Sequence, residues 1–139
     1  MLTVKVKMIE DMKVRIVLEC ATNQVFKPYK AYSECYIEDK EMVTKGLTER
    51  ALRYFEKLEE GLKDIIDNEK YSVTRDFELG LDIIKVNIPK SMDMYFDAEE
   101  LTRLRHETSE FSNDVKVRHV LKMLRYNLKN VSDLVDLLG

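Results

Sequence analysis

Four residues in the second half of the chain, Phe77, Asn87, Arg103 and Arg105, carry the side-chain types that recognise a purine. A ring and a guanidinium stack on a base while an amide reads its edge. Whether Phe77 and Asn87 meet depends on the turn between them, and Gly80-Leu81-Asp82 is the only turn chemistry there. A two-residue turn at Gly80-Leu81 puts Phe77 on the face of Ile84 and Val86, away from Asn87. A three-residue turn at Gly80–Asp82 puts both on one face. The competing reading of Phe77 is a plain core residue.

A second constellation is basic. Arg118, Lys122, Arg125 and Lys129 are spaced four, three and four residues apart, so on a helix they share a face. Lys116 stands nearby, and no acidic residue occurs between Val115 and Lys129. Such a row can hold the phosphates of a nucleic acid or of a small nucleotide. The alternative is a solvated face paired with the acidic residues of a long helix.

Other chemistry is sparse. His106 and His119 are the only histidines, and His106 with Glu110 four residues on does not make a metal site. Cys20 and Cys35 are too few and too far apart for a disulfide scaffold or a zinc site. Both fall on apolar strand positions and read as buried thiols, with a disulfide between adjacent strands as the alternative. No G-x-S-x-G, P-loop or G-x-G-x-x-G occurs. The expectation is a protein that is not an enzyme and uses no metal or cofactor.

A chain of 139 residues suits a single domain with one core. The net charge of −3 argues against bulk DNA binding. Its distribution is uneven: +3 over residues 1–30, −4 over 31–70, −4 over 71–112 and +2 over 113–139. Positive ends around an acidic middle can offer a confined anion site. No apolar run approaches the roughly 18 residues that span a bilayer, and the opening Met-Leu-Thr-Val-Lys-Val-Lys alternates as a strand does, unlike a signal peptide. A cytoplasmic protein with no membrane partner is expected.

The elements that position these residues follow from periodicity. Residues 3–8 and 12–20 alternate and form a hairpin. A third strand falls near 31–37, after a loop containing Pro28. From about Asp39 to Asn68 the period is helical, with Leu47, Ala51, Tyr54 or Phe55, Leu58, Leu62 and Ile65 as the apolar stripe. Gly46 and Gly61 weaken that helix, which leaves a start nearer Leu47 open. Strands at 71–79 and 83–88 make a second hairpin that holds Phe77 and Asn87. Asp97 caps a helix of about 98–111, with Glu100 at the capping-box position and Phe96 able to staple onto Leu101. A helix of about 115–129 carries the basic row, and Ser132 caps a last short helical turn. The fold class is α+β: a five-stranded antiparallel sheet interrupted by one long helix, in the order β-β-β-α-β-β, then C-terminal helices. One domain spans 1–139, with the sheet and long helix in 1–96 and the C-terminal helices in 97–139. The apolar tail Val131–Gly139 is costly to leave wet, so these helices form a bundle with a second copy or, alternatively, finish the monomer's core.

In element order, length and the ten-residue spacing from Phe77 to Asn87, the sequence resembles the phage Thoeris anti-defence sponges of the first type. In that family an antiparallel sheet is interrupted by one helix, and two C-terminal helices complete a bundle along a dimer interface. Its members sequester cyclic ADP-ribose signals made by bacterial TIR-domain proteins without destroying them. Some assemble into hexamers and hold cyclic oligonucleotides at separate sites. The resemblance implies that Phe77, Asn87 and one of Arg103 or Arg105 contact the ligand. With them Arg118, Lys122 or Arg125 would hold its phosphates. It also implies a homodimer or higher oligomer, working in the host bacterial cytoplasm if phage-encoded. The rival readings are a small protein-binding inhibitor or assembly factor of phage origin, and a nucleic-acid binder using helix 115–129.

Overall fold

Strand β2 (Lys13–Cys20) is the middle of a three-stranded antiparallel sheet, between β1 (Leu2–Glu10) and β3 (Tyr29–Tyr36). The structure is a computed structural model. It describes residues 1–22, 26–68, 70–78, 80–86, 88–105, 107–109 and 130–139, with 71–76, 81–86, 103–105, 107–109 and Asn130 described through their backbone. The chain is α+β. It divides into two compact units, Met1–Thr22 with Pro28–Lys57 and Leu128–Gly139, and Asn23–Lys27 with Leu58–Asn127.

In the first unit the alternation of β2 does what period 2 requires. Val14, Ile16, Leu18 and Cys20 are buried, while Arg15 and Glu19 face solvent. Residues directly opposite share a face, so the register extends this apolar side to Leu2, Val4, Val6 and Met8 on β1. On β3 it extends to Tyr29, Ala31, Ser33 and Cys35. The long helix α1 (Lys40–Asp67) begins here and sets Leu47, Ala51 and Phe55 into the core. Its Tyr54 ring lies 4.7 Å from that of Tyr29, and Phe55 lies 6.1 Å from it. Thr48, buried on the same helix, donates its hydroxyl to Thr44 O at 2.9 Å, so its burial leaves no polar atom unpaired.

The C-terminal helix α3 (Asn130–Leu138) packs on β1 and buries Leu134 fully. It begins two residues before Ser132, so that residue stands in the first turn and is not the expected cap. Edge position leaves the apolar row of β1 half wet, with Val6 46% and Met8 54% exposed. The β1–β2 turn holds Met12 at φ 61°, the left-handed region, beside an irregularity between Met8 and Glu10. Both cysteines are free, Cys20 buried and Cys35 half-buried. Cys20 pairs with Tyr29 at one end of β3 and Cys35 with Val14 near the other, about 20 Å away, which excludes the disulfide alternative.

The second unit takes over the stripe of α1 with Leu58, Leu62, Ile65 and Ile66. At Gly61 a Cβ would overlap Met92 Sδ and Cε, so the missing side chain is what admits the buried Met92. Met92 and Tyr95 come from a 3-10 segment, Lys90–Tyr95. Phe26 and Phe96 form an isolated antiparallel bridge with ring centroids 5.2 Å apart, and Lys27 N–H donates to Tyr95 O at 2.9 Å. Asp97 caps α2 (Ala98–Arg105) as expected, its Oδ1 accepting from the N–H groups of Glu99 at 3.0 Å and Glu100 at 3.3 Å. Phe96 and Leu101, the expected staple pair, are both buried.

Asp64 closes the C-terminus of α1. Its Oδ2 accepts from Lys70 Nζ at 2.5 Å and its Oδ1 from Asn68 Nδ2 at 2.5 Å. These hydrogen bonds, Lys70's first, hold the carboxyl below its ordinary value. A carboxylate with a depressed folded value stabilises above the ordinary carboxylate range and loses that contribution as pH falls through the folded value. NMR titration should therefore find Asp64 titrating below the ordinary value of an aspartate. Lys70→Ala should raise it toward that value; an unmoved Asp64 would remove the ammonium as the cause.

Three expectations are corrected here. Among the described residues the strands form two three-stranded sheets, one of β1, β2 and β3 and the other of β4 (Tyr71–Asp76), β5 (Leu81–Val86) and β6 (Glu107–Ser109), instead of one sheet of five. The free edge of β5, which pairs with β4, is taken by β6 of the same unit. The helix expected to reach 111 accordingly stops at Arg105, since Thr108 and Ser109 favour a helix weakly and pair with Ile83 and Asp82 instead. The second hairpin turns over four residues, 77–80, because Asp76 pairs with Leu81 and Arg75 with Asp82. Gly80 is the last turn residue, at φ +65°, where a side chain would be strained. The expected helix 115–129 lies outside the described residues.

Candidate functional site

Phe77 is the first residue of that four-residue turn, one position beyond the end of β4, where periodicity alone sets it within the strand. It is 90% exposed, which removes the plain-core reading. An exposed phenylalanine on a hairpin tip leaves both ring faces open to a planar ligand or to an apolar pocket of another molecule. Glu78 and Gly80 beside it are exposed as well.

The other candidates are placed in part. Val86, the residue before Asn87, pairs with Tyr71 at the far end of the hairpin from the Asp76–Leu81 pair, about 17 Å along the strands. Asn87 itself lies outside the described residues. Arg103 and Arg105 stand on α2, which packs against β5, so the helix that carries the arginines adjoins the hairpin that carries Phe77. The two positions are about 200° apart around the helix axis. Position 105 follows the buried Leu101 by one turn, and position 103 lies on the other face. Arg118, Lys122 and Arg125 lie outside the described residues, as do His106 and His119.

The first unit has a groove that motif reading does not pick out, lined by Lys13, Glu34, Cys35, Tyr36 and Asp39. The register that pairs Lys13 with Tyr36 builds it, and Lys13 Nζ sits 5.6 Å from the centroid of the Tyr36 ring. Beside it Arg15 donates from Nε at 3.0 Å and from Nη2 at 2.6 Å, both to Oε1 of Glu34. Lysine, arginine and carboxylates in mixed order make a polar surface without a single sign. Pattern reading has no signal for it, because strand pairing and not sequence spacing brings these residues together. Among the described residues no group of three or more His, Cys, Asp or Glu is placed to hold a metal ion, and no helix is long and apolar enough to cross a membrane. Compared with protein-family models, with curated proteins and with solved structures, the chain matches none.

Proposed function

We propose that this chain is a binding protein that captures a nucleotide without turning it over. The ligand class the resemblance implies is a cyclic ADP-ribose isomer or a cyclic oligonucleotide, held as a phage counter-measure to Thoeris signalling. The observation that carries the reading is the bare ring of Phe77 on a hairpin whose second strand adjoins the arginine-bearing helix. Phe77 stacks on the base, one of Arg103 or Arg105 stacks or holds phosphate, Asn87 reads the base edge, and Arg118, Lys122 or Arg125 neutralise phosphates. Val135 and Leu137, 53% and 45% exposed on α3, support the further reading that C-terminal helices meet a second copy.

Mass spectrometry of small molecules released by boiling the purified protein tests the proposal, and an intact nucleotide is the expected result. Base–aromatic stacking contributes about 1–3 kcal/mol per base, so Phe77→Ala should weaken binding by about 10–100-fold in calorimetry. Unchanged binding by that variant removes the pocket. Co-purification with a host protein in place of a nucleotide would favour a protein inhibitor, and a steep fall of affinity with salt a nucleic-acid binder.

A further inference from the structure

Strand β3 is an edge of its sheet among the described residues, and its sequence is self-complementary about Tyr32. We propose that two copies of this chain join β3 to β3 antiparallel, across a twofold axis through Tyr32, into one continuous six-stranded sheet. The pairing follows from charge. In that register Lys30 faces Glu34 of the second copy, Tyr32 faces its own mate, and Glu34 faces Lys30. On the apolar side Ala31 meets Ser33 and Tyr29 meets Cys35, small against small and ring against thiol. The two ion pairs are related by symmetry, as an isologous interface requires.

The monomer is arranged for it. Glu34 accepts both Arg15 hydrogen bonds on Oε1, which leaves Oε2 to accept from an incoming ammonium. Lys30 is exposed, stands opposite Glu19 in the register and makes no ion pair among the described residues. Across the joined strands one row then reads Glu19, Lys30, Glu34, Arg15, alternating in sign over four strands and the interface between them. Sliding the pairing by two residues sets Lys30 against a tyrosine and loses both ion pairs, so the charges fix the register. Tyr32, 66% exposed in the free chain, is covered at the axis.

The opposite edge behaves differently. Twofold pairing centred on β1, about Val6, Lys5 or Lys7, sets Lys5 against Lys7 or one lysine against itself, and Lys7 already stands opposite Arg15. Lysines that face one another repel a second copy there, whereas the lysine of β3, Lys30, faces Glu34 of the second copy. The interface proposed is thus separate from α3 and does not depend on what Phe77 binds.

Charge exchange between two variants tests it. In Lys30→Glu the homodimer sets a carboxylate against the carboxylate of Glu34 at both contacts, and in Glu34→Lys it sets ammonium against ammonium. Each should raise the dimer dissociation constant by about 10–100-fold in analytical ultracentrifugation. An equimolar mixture restores opposite charges at both contacts and should sediment as a heterodimer, which also shows that both variants fold. Should Glu34→Lys fail to fold, Lys30→Glu alone, at an exposed position, still has to shift the wild-type dimer toward monomer. A monomeric wild type, or a dimer that both variants leave at full strength, overturns the proposal; the latter result would place the contact elsewhere.

Discussion

Phe55→Ala is expected to lower the free energy of unfolding by about 3–5 kcal/mol, a large part of the roughly 5–15 kcal/mol that holds a domain together. Phe55 is 1% exposed, and it meets Tyr54 edge-on at 5.3 Å and 88° and Tyr29 at 6.1 Å. Alanine leaves a ring-sized hole between α1 and β3, and the two tyrosines that border it lose their partner. The surrounding strand is fixed by its pairing to β2, so it has little freedom to collapse into the space. Urea unfolding followed by tyrosine fluorescence measures this directly, since the chain has seven tyrosines and no tryptophan to mask them. A loss below about 1 kcal/mol would mean that the ring cluster is peripheral to the core.

The two glycines of α1 should answer alanine with opposite signs. Gly46 has nothing within 4 Å of where a Cβ would stand, so Gly46→Ala gains helix propensity alone, about 1 kcal/mol. At Gly61 the same gain is available, but the new methyl enters the space of Met92, whose side chain is 5% exposed and enclosed. Overpacking there is expected to cost a net of about 1–3 kcal/mol. Met92→Ala removes the obstacle, so Gly61→Ala should become neutral or stabilising in that background. The coupling free energy of the cycle, from four denaturation curves, should lie at about 1–3 kcal/mol. A cycle that closes to zero would mean that Met92 swings clear at no cost.

Much of this architecture is written in periodicity, and the parts that are not have physical reasons. The apolar residues of α1 recur at four and three along its length, a pattern that a strand does not satisfy, and the helix lies at Lys40–Asp67 against an expected 39–68. β2 alternates cleanly because it is buried on one side from end to end. Asp97 caps because a short carboxylate in front of Glu99 and Glu100 has two N–H groups in reach. β6 is silent in the sequence since three residues carry no period, and only the edge of β5 makes them a strand. The turn at 77–80 is ambiguous from sequence because a single glycine suits the first position of one turn and the last of another. The Arg15–Glu34 pair and the groove beside it depend on β2–β3 register, which no local spacing encodes. For the candidate site, periodicity shows the hairpin and the arginine-bearing helix, but it sets Phe77 in the strand, whereas the four-residue loop puts the ring at the tip.

The contact between β1 and α3 has a consequence for the order of events in synthesis. The strand and the helix are separated in sequence by residues 11–129, which include all of the second unit. Closing so long a loop adds little to the entropic cost at equilibrium but slows the search for the contact. On a translating ribosome the second unit can finish while β1 still waits for Leu134. Until the helix arrives, Val4, Val6 and Met8 are a sticky strip on a nascent chain, and that interval is when this protein most needs protection from its neighbours.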